Sequence, residues 1–227
     1  MTNYEQIIVK KPWGYEYLMY QNGQIGIWCL FIKHGAQTSL HCHPDKKTGL
    51  IVLSGEAKIR FMNDEVKLQP LSKLIIRPGL FHSTVALSPE GVVLIEVETP
   101  PIKTNLVRFD DAYGREEAPY ESDAAMIPMN ESCIRLQIPE KGRKETYSLH
   151  GCNLITEKVE DITLLTNRRP DEIIIVVEGG LISRTGESVL GAGDVVTIGT
   201  INRLAKTFTA PHGLSLIAAQ KLSDNPT

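Results

Sequence analysis

Three histidines stand out for the chemistry their spacing allows. His41 and His43 are two residues apart in Gly35-Ala-Gln-Thr-Ser-Leu-His41-Cys-His43, and His82 closes Pro78-Gly79-Leu-Phe-His82 about 40 residues later. In an extended segment successive side chains point to opposite faces, so both imidazoles of the first pair share one face. If His82 converges on them, three neutral imidazoles make a borderline-soft nitrogen site. Such a site suits zinc, iron, nickel, manganese or cobalt and leaves positions open for water or substrate. A plainer role is open to each residue, because His-x-His arises by chance and a histidine after Pro-Gly can cap a strand or bond to backbone. His150 and His212 are isolated and are expected to be structural. Lys46 and Lys47 follow the histidine pair, where they either draw in an anionic substrate or, as we expect, are solvated loop charges.

The elements that must position these residues read as β-strands. Short segments rich in Val, Ile and Leu recur at intervals of about ten residues, punctuated by Gly, Pro, Asn or Asp. The spacing predicts strands over Ile25–Lys33, Gly49–Leu53, Ala57–Met62, Lys73–Arg77 and Val92–Glu98, with turns at Asn63-Asp64 and Pro78-Gly79. From Thr99 to Asn130 the chain is rich in proline and charge, which predicts an irregular linker with one short helix around Asp110–Arg115. A second series follows over Cys133–Ile138, Ser148–Ile155, Ile162–Leu165, Ile173–Val177, Gly180–Arg184, Asp194–Ile198 and Leu214–Ala219.

The two series overlay. Residues 49–59 resemble residues 172–182, each an apolar strand, a glycine turn and another strand, and residues 68–76 fall against residues 190–198, as an internal duplication would give. Sheets of short strands must close or pack to protect their edges, so a β-sandwich or closed barrel repeated twice is expected. The cut is placed near residue 125, giving an N-terminal barrel of residues 1–125 with the histidine cluster and a C-terminal extension, and a C-terminal barrel of residues 126–227. In that second half nothing like His-x-His precedes Glu172 and Leu204 falls opposite His82, so the C-terminal barrel is expected to have lost its ligands.

Bulk properties narrow the classes. A chain of 227 residues with 42% hydrophobic content can bury two cores of about a hundred residues each. The net charge of −3 is spread along the chain, which speaks against nucleic acid as a partner. Cys29, Cys42, Cys133 and Cys152 have no CxxC spacing, so a zinc ribbon or disulfide framework is not expected. No apolar run approaches the roughly 20 residues of a membrane span, and the start lacks a signal-peptide layout. A cytoplasmic protein without membrane partners is the expectation.

On these residues the sequence resembles the cupin superfamily, whose first motif is G(x)5HxH(x)3-4E(x)6G and whose second contains PxGxxH. Here the first reads Gly35, His41, His43, Thr48 and Gly55, and the second reads Pro78-Gly79-Leu80-Phe81-His82. Thr48 stands where the family carries a carboxylate ligand. The resemblance implies an all-β fold of two tandem cupin (double-stranded β-helix, or jelly-roll) barrels. Flanking stretches, Lys11-Pro12-Trp13-Gly14-Tyr15-Glu16 and residues 94–115, are similar to type II mannose-6-phosphate isomerase. Together they cover roughly residues 10–116. The nucleotidyltransferase often fused to that family has no counterpart here, since no Gly-rich phosphate loop is present. Where the family has Glu-Val-Gln, this chain has Glu96-Val97-Glu98, which would restore a carboxylate near the metal if Glu98 points inward.

What the resemblance implies is a divalent transition metal (Zn, Mn, Co, Ni or Fe) on His41, His43 and His82, in an aldose–ketose isomerase of polysaccharide biosynthesis. Its substrate would be a sugar phosphate or nucleotide sugar and its assembly a homodimer. Glu96 or Glu98 would be the base; the two share parity with apolar Leu94, so they face either the site or solvent together. Arg108 and Arg115 would clamp phosphate oxygens, or else pair with Asp110 and Asp111. Trp13 and Tyr15 would stack on a ring or staple the N-terminal segment to the barrel. Two other classes stay open: a three-histidine iron dioxygenase acting on a small molecule, favoured by Thr48, and a non-catalytic sugar-binding cupin.

Overall fold

The computed structural model describes residues 3–115 and 125–222, and these fall into two compact units, residues 1–135 and 136–227. Residues 116–124 of the expected linker lie outside the described residues.

The first unit runs through β1 (Ile7–Lys11), β2 (Gly14–Gln21), β3 (Gly26–Ile32), β4 (Leu40–Cys42), β5 (Lys47–Ser54), β6 (Ala57–Phe61), β7 (Glu65–Leu68), β8 (Lys73–Ile76), β9 (His82–Ala86), β10 (Val92–Thr99), β11 (Val107–Asp110) and β12 (Met126–Pro128). They form a seven-stranded sheet of order β12-β1-β2-β3-β10-β5-β8 and a five-stranded sheet of order β11-β4-β9-β6-β7. From β3 to β10 the chain passes back and forth between the two sheets, which is the double-stranded β-helix, or cupin barrel. β10 lies between β3 and β5, bonded to both. Its residues Val92–Glu98 are accordingly all buried, in a near-continuous apolar run broken by Glu96 and Glu98. Trp13, Trp28, Leu30, Leu50, Val52, Ile59 and Leu94 belong to the core between the sheets. Gly55 turns β5 into β6 with φ of 77°, and a methyl group there would lie 2.3 Å from the Gly91 carbonyl oxygen, so only glycine fits.

The expected helix at Asp110–Arg115 is not formed. β11 runs to Asp110, and the chain then turns: the Arg115 backbone N–H and Nε each donate to Asp111 Oδ2 at 2.9 Å, and Nη2 donates to Oδ1 at 2.9 Å. A side chain that caps the loop so completely stands in for helical bonds. β12 lies past residue 125 and pairs with β1, so backbone bonds carry the first unit beyond the expected cut.

The second unit is built from β13 (Lys144–Leu149), β14 (Cys152–Val159), β15 (Ile173–Gly179), β16 (Leu181–Ile182), β17 (Ser188–Leu190), β18 (Val195–Thr197) and β19 (Leu214–Lys221). A five-stranded sheet of order β13-β14-β19-β15-β18 is accompanied by the ribbon β16-β17. This repeats the β3-β10-β5-β8 and β6-β7 arrangement of the first unit. Ser148–Ile155, expected as one strand, is a hairpin, because His150 and Gly151 take left-handed conformations between β13 and β14. Cys133–Ile138 forms no strand.

The counterparts of β4 and β9 are replaced by helical turns. Ile162–Leu165 is a 3₁₀ helix capped by Asp161, whose carboxylate accepts from Thr163 N–H at 2.9 Å. After β18 comes α1 (Ile198–Leu204), capped by the Thr197 hydroxyl; Leu204 lies in it, and an isolated Ile182–Thr209 bridge remains where β6 and β9 pair in the first unit. Hydrogen-bond register also moves the duplication by one residue along β5. Gly179 matches Gly55, since a methyl there would meet the Gly213 carbonyl oxygen at 2.2 Å, so Glu172 corresponds to Thr48 rather than to Gly49. By the same register Ala218 and Gln220 of β19 occupy the places of Glu96 and Glu98.

Candidate metal centre

The three histidines meet because two short strands of the five-stranded sheet carry them side by side. β4 places His41 directly across from His82, the first residue of β9, and His43 follows β4 on the same face. Ring centroids are separated by 4.5 Å (His41–His82), 4.9 Å (His41–His43) and 5.6 Å (His43–His82). One ligating nitrogen from each lies within 4.8 Å of the others, and this is the group of metal-type ligands found among the described residues.

Backbone carbonyls fix the protonation of each ring. His41 Nδ1 donates to Ser39 O at 2.8 Å, His43 Nδ1 to Asn105 O at 2.7 Å, and His82 Nδ1 to Leu80 O at 2.9 Å. A carbonyl only accepts, so Nδ1 bears the hydrogen and Nε2 of a neutral ring carries a lone pair. His43 Nε2 is buried and has no hydrogen-bond partner. An unmet acceptor beside two more imidazoles, oriented by their other nitrogens, fits a divalent transition metal. Burial, helped by the Lys46 ammonium, lowers the His43 pKa to about 3. Burial likewise brings His82 to about 4 and, with the neighbouring rings, takes His41 well below its usual range. All three are neutral at pH 7, the form a metal requires.

The cavity they line, of about 70 Å³, is also lined by Lys11, Glu16, Lys46, Glu96, Glu98, Lys103, Arg108 and Arg115. Alternation along β10 turns Glu96 and Glu98 inward together with Leu94. Burial first, then repulsion from Glu98, raises the Glu96 pKa to about 7. Glu98 behaves oppositely. Burial opposes its charge but is outweighed by Lys103 and Lys46, so its pKa is lowered. Lys46 Nζ is 2.7 Å from Glu98 Oε1, Lys103 Nζ is 3.6 Å from the same oxygen and 3.0 Å from Glu16 Oε1, and Lys11 Nζ is 3.6 Å from Glu16. The result is a buried ladder of alternating charge. Lys103 also lies 3.7 Å over the Trp28 ring.

Several expectations change here. Lys46 is not a solvated loop charge: it is 1% exposed and paired. Arg115 is engaged by Asp111, whereas Arg108 stands beside His41 across the β11–β4 pairing and faces the cavity. Trp13 packs in the core and lines the cavity, while Tyr15 lies against Phe31 at 5.3 Å between centroids, stapling β2 to β3. Thr48 is buried with its hydroxyl unpartnered, directly across from Glu98. His150 and His212 are exposed and belong to the second unit. All four cysteines are free. No helix among the described residues is long and apolar enough to cross a membrane.

Sequence reasoning missed Lys11, Glu16 and Lys103 as cavity residues. The first two lie in the Lys11–Glu16 motif, where β2 alternation could have found Glu16; Lys103 sits in a loop with no periodicity to announce it.

No protein family and no curated protein matches the chain. Among solved structures it is similar to KdgF from Halomonas sp. (20% identity, 40% of this chain and 84% of that one, TM-score 0.38). It is also similar to an RmlC-like cupin from Shewanella frigidimarina NCIMB 400 (18%, 45% and 91%, TM-score 0.40). A third is the capsular polysaccharide assembling protein CapF from Staphylococcus aureus (19%, 46% and 34%, TM-score 0.41). By its own topology the chain is an all-β protein whose first unit is a double-stranded β-helix enclosing a three-histidine pocket suited to a divalent metal.

Proposed function

We propose that the first unit is a metal-dependent sugar isomerase, moving a proton between adjacent carbons of a phosphorylated or nucleotide-linked aldose as a step in polysaccharide assembly. The observation that carries this reading is Glu96, a buried carboxyl with its pKa raised to about 7, in the same cavity as three imidazoles with Nε2 available. A group poised near neutrality both takes and returns a proton. His41, His43 and His82 would hold the metal, and a divalent ion bound there supplies Lewis-acid polarisation of a carbonyl and its neighbouring hydroxyl. Glu96 would take the proton from the hydroxyl-bearing carbon next to the carbonyl and return it to the former carbonyl carbon, while the hydroxyl proton passes to the former carbonyl oxygen, so the carboxyl ends as it began and a new carbonyl stands at the neighbouring carbon. Arg108, which faces the cavity from β11 with Nη1 donating to Arg115 O at 3.4 Å, brings a fixed positive charge towards an anionic oxygen of the substrate. The likeness of Lys11–Glu16 and residues 94–115 to type II mannose-6-phosphate isomerase is what favours an aldose.

Two measurements test this. Elemental mass spectrometry of protein purified without chelator should find near-stoichiometric metal in the wild type and little in His41→Ala/His82→Ala. Proton NMR in D₂O should then show deuterium entering C1 or C2 of a ketose or aldose phosphate, lost in Glu96→Gln. Metal without any exchange across a panel of sugar phosphates would count against the isomerase. A second reading rests on Thr48, which leaves a neutral ligand set of the kind a three-histidine iron dioxygenase uses; dioxygen uptake with ferrous iron would select it. Sugar binding that survives chelation would instead support a non-catalytic module.

A further inference from the structure

We propose that Lys46 holds Glu98 away from the metal, so that three neutral imidazoles are the whole protein ligand set and the remaining charge is balanced by an anionic oxygen of the substrate. The inference rests on the metal reading above. Thr48 has the spacing from His43 at which a carboxylate ligand is expected, and Glu98 lies directly across from it on β10. A carboxylate is therefore present beside the ligand position but on the neighbouring strand. Its Oε1 is 2.7 Å from Lys46 Nζ and 3.6 Å from Lys103 Nζ.

Lys46 comes three residues after His43, in the loop that enters β5, and shares its inward parity with Thr48 and Leu50. Its side chain is 0% exposed, and Glu98 is its nearest counter-charge. Were Glu98 to ligate, Lys46 would lose its nearest counter-charge within a site that already holds a dication. Leaving a buried charge without its partner is more costly than leaving a coordination position to solvent. A divalent metal held by the three neutral imidazoles would keep its full double charge, and its exchangeable positions would favour an ionised oxygen over a neutral hydroxyl. This deepens the functional reading by naming the substrate class: an anion that can place one charged oxygen on the metal, with Arg108 in the same cavity for another.

The test is cobalt(II) loading of the full chain, with affinity read by chelator competition and coordination read by visible absorption. Glu98→Gln should leave the absorption unchanged and weaken cobalt by less than about tenfold, through the lost field of its charge alone. Lys46→Met should remove the nearer of the two cations on Glu98, leaving Lys103 at 3.6 Å, and should tighten cobalt by about tenfold or more and alter the absorption as a fourth protein ligand arrives. Lys46→Met/Glu98→Gln should restore the wild-type spectrum. The proposal is overturned if Glu98→Gln alone weakens cobalt about tenfold or more with a spectral change, since Glu98 would then already be a ligand. It is also overturned if Lys46→Met changes affinity with no change in spectrum, which is a field effect without ligation. Should Lys46→Met fail to fold, Lys46→Gln takes its place with the same expected tightening and spectral change. A wild type that takes up no cobalt refutes the centre itself.

Discussion

The carboxyls of Glu96 and Glu98 are two residues apart on one strand and carry opposite shifts, which makes the site sensitive to pH in a defined direction. Native Glu96 keeps its proton to about pH 7, whereas an unfolded chain releases it near 4.5. Between those values the folded state binds the extra proton, so this group's contribution to stability falls as pH rises through the window. Glu96→Gln removes the fall and should raise the stability of the metal-free protein at pH 8 by on the order of 1 kcal/mol, measured by urea denaturation at pH 5 and pH 8. An unchanged difference between the two pH values would contradict the assignment. The histidines act the other way. His43 and His82 are lowered to about 3 and 4 from 6.5, so their contribution is present above pH 6.5 and is lost as pH falls below it. The His-x-His spacing and the parity of Glu96 with Glu98 were legible in the sequence, because alternation is a local rule. The burial of Lys46 was not, because a lysine after a loop proline looks the same in sequence whether water or Glu98 receives it.

At the level of elements, long strands bonded on both sides announced themselves and short ones did not. β5, β10, β15 and β19 are apolar runs that any reading of hydrophobicity finds, while β4 has three residues and shows no pattern, although it carries His41. α1 has only seven residues, too few to show a period, and its Thr197 cap follows a strand without a break. Register was off by a single residue between β5 and β15, and since faces alternate, that slip sets Glu172 against outward Gly49 instead of inward Thr48. The glycines that end these strands fix the register. Gly55→Ala meets both a left-handed φ of 77° and the Gly91 carbonyl, and should cost on the order of 2 to 4 kcal/mol in guanidinium unfolding followed by tryptophan fluorescence, since both tryptophans, Trp13 and Trp28, lie in the first unit. A cost under about 1 kcal/mol would mean that the turn can relax.

For the whole molecule, the duplication was legible and the divergence between its copies only partly so. Loss of histidines from the second half could be read directly; replacement of their strands by the 3₁₀ helix and α1 could not. The copies should respond differently to metal. At a concentration 100 times its Kd, metal should slow global amide exchange in β4 and β9 by about a hundredfold and leave β14 and β19 unchanged, as followed by hydrogen-exchange mass spectrometry; equal protection of both would deny that the site is confined to the first unit. The reason lies in the ion pairs of the second unit. There Glu172, the counterpart of Thr48, and Glu157 both bind the guanidinium of Arg168, with Nε 2.9 Å from Glu172 Oε2. The second barrel thus meets these inward carboxylates with a guanidinium of its own chain, present from the moment of synthesis, while on the metal reading proposed above the first would take up a cation from outside beside its own lysines. On that reading a cell short of transition metal would make the chain with its second half complete and its first waiting, so the proposed activity would follow metal supply while abundance need not.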